Sequence, residues 1–241
     1  YKNGISKGFD SCYVKSEFVN QNKQAYTTYE IVKGSDKNIW IATQIGLLTI
    51  KNDSLFHYKA KSEIFRIFTL QEDKNSEFWL GCNDGLYKFV KGEYIYYGNK
   101  NPLLKNRITF IKKCAYDNCV WIATKGAGIL IMKGDSVKQI RAKDGLLSNY
   151  IKHLFIDKNI IWASSTNGLN KIIITQNAKN PYRIEQYTQS DGLYSSDVNG
   201  VVVNNDTVYV ATNDGLSFFN SKKVGINSIP PPVYITKVKI M

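Results

Sequence analysis

The sequence predicts an all-β protein built from propeller blades of four antiparallel strands. Three observations carry that prediction. A short motif returns five times. Turn residues fall at matching places within each copy. No segment shows sustained helical spacing of apolar residues. The copies are Trp40-Ile-Ala-Thr-Gln-Ile-Gly-Leu, Trp79-Leu-Gly-Cys-Asn-Asp-Gly-Leu, Trp121-Ile-Ala-Thr-Lys-Gly-Ala-Gly-Ile, Trp162-Ala-Ser-Ser-Thr-Asn-Gly-Leu and Tyr209-Val-Ala-Thr-Asn-Asp-Gly-Leu. Their anchors are 39, 42, 41 and 47 residues apart, and they use all four tryptophans of the chain. A residue type repeated at one place in every unit has one structural job, so Trp40, Trp79, Trp121, Trp162 and Tyr209 read as anchors that fill the space between blades.

The third copy shows the elements in order. Arg107 to Cys114 is a β-rich segment, and Tyr116-Asp-Asn is a turn. Cys119 to Thr124 is a second strand and carries Trp121. Lys125-Gly-Ala-Gly turns into a third strand, Ile129 to Lys133. Gly134-Asp135 then leads to a fourth, Val137 to Arg141. Four short strands in about 40 residues have the form of one blade. Gly46, Gly85, Gly168 and Gly215 follow their anchors by six positions, where Asn-Gly and Asp-Gly turns favour positive φ. In the third copy Ala127 stands there and Gly128 follows. Between copies runs a second motif, Lys143-Asp-Gly-Leu-Leu-Ser-Asn-Tyr-Ile and Ser190-Asp-Gly-Leu-Tyr-Ser-Ser-Asp-Val. It suits a crossover from the outer strand of one blade to the inner strand of the next, with its leucine buried.

Bulk properties bound the function. The 241 residues are 43% hydrophobic and 13% aromatic, which suits a packed globular protein. No apolar run approaches a membrane span. The net charge of +12 attracts anions in general, but the lysines are dispersed and no run of five basic residues exists, so nucleic acid is not an expected partner. Four cysteines are too few for a disulfide scaffold. Cys114 and Cys119 flank a turn, either bridged or facing across it; Cys12 and Cys82 read as small buried residues. Cysteine spacing and only two histidines, His57 and His153, argue against zinc, and no metal or cofactor is expected. A phosphate loop, a nucleophile elbow and a zinc-protease helix are all missing from the sequence.

The Trp-Ile-Ala-Thr-x-x-Gly-Leu motif, interleaved with Asp-Gly-Leu-x-Ser-Asn, resembles the two-component regulator propeller repeat. That repeat builds the sensor region of hybrid and ordinary histidine kinases in Bacteroidetes-type bacteria. The similarity spans roughly Ala25 to Asn220. Ile229-Pro-Pro-Pro-Val-Tyr-Ile-Thr-Lys-Val-Lys-Ile resembles the first strand of the tyrosine-rich β-sandwich, Y_Y_Y, that follows the propeller in such sensors. The resemblance implies a non-catalytic, periplasmic sensory propeller, itself no enzyme, that binds an external cue such as an oligosaccharide. The signal would pass through the sandwich to a kinase in the parent chain, with homodimerisation as one route. Two further classes stay open: a protein-binding scaffold propeller of the bacterial envelope, and a propeller glycosidase or lyase using paired carboxylates.

Three segments follow from this reading: residues 1–24, a possible closing strand; residues 25–228, five blades; and residues 229–241, the linker and first sandwich strand. Five blades could close a ring with the segment from about Gly8 to Asn20 completing the fifth, or belong to a larger, seven-bladed ring. The chain begins with Tyr1 and reads as an excised or processed segment. Residues that vary at equivalent loop positions are the candidate ligand face: Gln44, Asn83, Asp84, Lys125, Asn167 and Asp214, with Arg107, Lys152, His153 and Asn199 at or near the crossovers. The alternative is a solvated rim of turn residues.

Overall fold

The computed structural model describes residues 27–59, 66–74 and 76–223. These form 19 strands in five antiparallel sheets, each following chain order, with no α-helix among the described residues. The first blade comprises β1 (Thr28–Lys33), β2 (Ile39–Thr43), β3 (Gly46–Lys51) and β4 (Ser54–Lys59). The second has β5 (Ile67–Lys74), β6 (Glu77–Cys82), β7 (Gly85–Val90) and β8 (Glu93–Tyr96). The third has β9 (Ile108–Cys114), β10 (Cys119–Thr124), β11 (Ile129–Lys133) and β12 (Ser136–Ile140). The fourth has β13 (Ile151–Asp157), β14 (Ile160–Ser165), β15 (Gly168–Ile174) and β16 (Tyr182–Tyr187). The fifth has three strands, β17 (Val198–Asn204), β18 (Thr207–Thr212) and β19 (Leu216–Asn220). The segment expected to complete the fifth blade and the expected sandwich strand lie outside the described residues.

The first strands of successive blades pack on one another in the sequence β1, β5, β9, β13, β17. Apolar clusters fill each seam, and each is anchored by the tryptophan of the preceding blade. Trp40 packs with Leu70, Phe78 and Phe89 of the second blade, and Trp79 with Ile108, Ile111 and Ile122 of the third. Trp121 meets Leu154 and Ile161 of the fourth, and Trp162 meets Val201 and Val208 of the fifth. Sheets stacked on both faces explain why the anchor strands are buried along almost their whole length; β10 is buried at all six positions. Outer strands such as β12 alternate between exposed and partly buried residues instead.

Tyr209 corrects the anchor reading in one respect. It occupies the equivalent strand, β18, but is 37% exposed, beside Val202, Leu216 and Phe218, which are also exposed. The reason is positional: no sixth blade covers this face among the described residues. Tyr209 has the anchor's place without its burial.

The motif's threonine has a role that the glycine shares. Thr43, Thr124, Ser165 and Thr212 each donate a hydroxyl hydrogen bond to the carbonyl of the turn glycine, at 2.7–2.8 Å. In return each hydroxyl accepts a backbone N–H from within the turn. The third copy keeps this arrangement by lengthening its turn. Gly128, at φ +74°, replaces Ala127 as the turn glycine, and a Cβ there would lie 2.2 Å from the Ile140 carbonyl oxygen. Positive φ and this close approach of the outer strand both select glycine. The crossovers contain short 3₁₀ turns at Pro102–Lys105, Ala142–Asp144 and Gln189–Asp191, after or within which Leu104, Leu146 and Leu193 are buried.

Candidate functional site

The loop after each anchor strand and the entry to each first strand share one end of the molecule. Their backbones are bonded together: Gln44 N–H donates to Thr27 O, Lys125 N–H to Arg107 O, and Asn213 N–H to Asp197 O. Gly126 and Gly128 N–H groups both donate to Asn149 O in the next crossover, joining adjacent blades at the same end.

A second regularity builds this end. Every first strand carries a register shift near its start, between Thr28 and Glu30, Ile67 and Thr69, Ile151 and His153, and Val198 and Gly200. In the third blade it falls where Ile108 pairs with Thr124 and Phe110 with Ala123. Each shift leaves one extra residue: Tyr29, Phe68, Thr109, Lys152 and Asn199. A bulge ends regular pairing and re-aims the side chain, and it does so here at one equivalent place in five blades. Two neighbouring pairs touch across the seams, and Thr109 reaches the backbone beside Lys152. Tyr29 and Phe68 meet edge to face at 4.9 Å, and the Arg107 guanidinium lies 4.4 Å above the Phe68 ring. Thr109 donates its hydroxyl to Ile151 O at 2.6 Å, and Lys152 Nζ donates to Asn199 Oδ1 at 2.8 Å. The result is a belt of chemically different side chains, aromatic and cationic on one side, cationic and amide on the other.

The candidates read from the sequence divide on this geometry. Arg107, Lys152 and Asn199 belong to the belt. Arg107 Nε is buried without a hydrogen-bond partner, a donor left open beside the aromatic pair. Lys152 also pairs with Asp197, and Asn199 bonds Asn213, so both are held in place. Lys125 is exposed, with its ammonium 5.3 Å from the Tyr150 ring. Asp84 is exposed and turned to its own blade, accepting from the Tyr87 hydroxyl; its carbonyl accepts from the Tyr96 hydroxyl. Asn167 donates to Leu147 O, which ties the loop to its crossover. Asn83 and Asp214 are exposed turn residues, and Gln44 is half-buried. Tyr29, Phe68 and Thr109 escaped the sequence reading, because nothing in a strand's alternation marks the position of a bulge.

His153 is set apart. It lies one residue past the bulge, 4.2 Å from the Phe110 ring, with Nδ1 buried and unpartnered. Burial, with the charge of Lys112 adding to it, pushes its imidazole down to about 4. It lines a cavity of about 580 Å³ with Glu30, Phe110, Lys112, Phe155, Val202, Tyr209 and Leu216. One wall is the uncovered forward face of the fifth blade. In the first four blades the equivalent face is buried under the next blade. The belt is the better candidate for ligand contact.

No family model matches the chain. A histidine kinase (P4) of Formosa agariphila is 32% identical over 123 residues, which are 48% of this chain and 8% of the kinase. The extracellular domain of a hybrid two-component system from B. thetaiotaomicron superposes with a TM-score of 0.75 at 20% identity, over 92% of this chain and 30% of that one. PorZ, a surface component of the type-IX secretion system of Porphyromonas gingivalis, gives a TM-score of 0.64 at 14% identity, over 91% of this chain and 36% of PorZ. The chain thus spans less than a tenth of the kinase and about a third of each structural neighbour. The kinase and the two-component neighbour match the resemblance read from the Trp-Ile-Ala-Thr repeats, and both structural neighbours share the bladed fold.

Proposed function

We propose that this chain is a non-catalytic sensory unit of a two-component receptor. It works outside the cytoplasm, binds an oligosaccharide cue at the bulge belt, and signals to a kinase in the parent chain. The observation that carries the reading is the 123-residue sequence match to a histidine kinase, at 32% identity. The belt supports the ligand class. Sugar rings present apolar C–H faces and a rim of hydroxyls. Tyr29 and Phe68 offer faces for the first, and Arg107, Lys125, Lys152 and Asn199 offer polar partners for the second. The cations further suit sulfated or uronic sugars. Signalling requires two arrangements of the receptor with different affinity for the cue, because a ligand shifts an equilibrium only by its differential binding.

Thermal-shift screening of the chain against neutral, sulfated and uronic oligosaccharides tests this reading. A concentration-dependent rise in Tm with one class supports it. No shift with any sugar, together with stoichiometric co-purification of an envelope protein, replaces it with the scaffold reading that the fold shared with PorZ supports.

A further inference from the structure

We propose that Cys114 and Cys119 are a disulfide-forming pair that staples the first hairpin of the third blade. They are register partners at the end of β9 and β10, joined by the four-residue turn 115–118. Directly opposed residues of an antiparallel pair project to the same face, with Cβ atoms about 4.5–5.5 Å apart. A disulfide needs about 3.5–4.5 Å, a closure within reach of local adjustment. Both side chains sit in one apolar cluster with Trp121 at the seam with the fourth blade.

Both thiols are free in this structure, and each is held by a different carbonyl. Cys114 Sγ donates to Lys158 O of the fourth blade at 3.8 Å, and Cys119 Sγ donates to Asp117 O at 3.5 Å. Oxidation turns both sulfurs from those carbonyls towards each other. The co-reactant is a small-molecule or protein disulfide. Cys119, the less buried of the two, loses its proton to solvent. Its thiolate attacks one sulfur of the oxidant and expels a thiolate. Deprotonated Cys114 then attacks the mixed disulfide at Cys119 and releases the second thiolate. The pair gives up two electrons and two protons, and the oxidant becomes two thiols. Burial, aided by Asp117, raises the Cys119 thiol to about 11, so the first step is slow at neutral pH and quickens as pH rises.

This pairing is a property of the hairpin and does not depend on the sensory reading. The test uses the native chain, incubated with oxidised glutathione at mildly alkaline pH, then quenched with N-ethylmaleimide in denaturant, so that buried thiols are reached, and digested without reduction. Mass spectrometry should find the Cys114 and Cys119 peptides joined and two hydrogens lighter than their reduced sum, while Cys82 carries the label. The joined peptide should vanish on reduction. Maleimide on both Cys114 and Cys119, a lasting glutathione adduct on either, or a link from either to Cys12 or Cys82 would overturn the proposal.

Discussion

Trp121 donates its indole N–H to Asp117 Oδ2 at 3.0 Å, from the anchor strand to the turn four residues earlier. The same carboxylate accepts the Cys119 backbone N–H through Oδ1. Trp40 repeats the bond with Asp36, also four residues earlier. In these two blades an acidic turn residue satisfies the indole of a buried tryptophan, whereas Trp79 Nε1 is buried without a partner; in each case the ring fills the seam to the next blade. Replacing Trp121 by Ala should cost about 3–5 kcal/mol, the range for losing a buried aromatic. Asp117→Ala should cost about 1–3 kcal/mol, because it strands a buried N–H. Chemical denaturation measures both; a midpoint equal to wild type for Trp121→Ala would place the ring outside the core.

Gly168 should tolerate no side chain. Its φ is +135°, and a Cβ would lie 2.5 Å from Tyr187 O and 2.6 Å from Leu147 Cδ1. Gly168→Val should lower stability by about 2–4 kcal/mol through strain and steric conflict together. Gly126→Ala is the control for φ alone, since its Cβ would meet nothing within 4 Å although φ is +120°. The two losses should differ clearly in thermal melts.

His153 should make the fold acid-sensitive. Its folded value of about 4 lies below the ordinary 6.5. Between those values the unfolded chain binds the extra proton, so stability is full above about pH 6.5 and falls as pH drops towards 4. The loss should reach about 1–3 kcal/mol. Urea unfolding of wild type and His153→Phe at neutral pH and near pH 4.5 reads the effect as a difference. Parallel pH dependence in the two proteins would remove His153 as its source.

If the cue is anionic, its binding should weaken with salt. Arg107, Lys125 and Lys152 lie at the same end of the molecule, where screening shortens the reach of exposed charges to about 8 Å at physiological ionic strength. Titration of a sulfated or uronic oligosaccharide at low and high salt should show a larger Kd in the latter. A neutral sugar should show little change.

The fold was legible because each blade repeats the same solution. Trp in the seam, Thr to the turn carbonyl and Gly against the outer strand recur at fixed spacing, and repetition separates structural residues from the rest. Ala127 with Gly128 shows that the spacing can shift while the geometry stays. The site was legible only in part. Lys152 and Asn199 stood out as polar residues near crossovers, but Phe68 and Tyr29 look like ordinary strand residues until the bulge is seen. Tyr209 carried the anchor's signature, yet its burial depends on a neighbour that the motif itself does not encode.

A ligand received at the bulge belt must lose affinity when the belt's side chains are removed. Isothermal titration of the oligosaccharide class identified by thermal shift, against wild type, Phe68→Ala, Lys152→Ala and a control, tests it most directly. Lys138→Ala, an exposed change on outer strand β12, is the control. Circular dichroism confirms folding of each variant first. Phe68→Ala should bind at least about tenfold more weakly, a loss of about 1.4 kcal/mol. Lys152→Ala should lose a similar amount, and Lys138→Ala should keep the wild-type Kd. Unchanged affinity in both folded belt variants would contradict it.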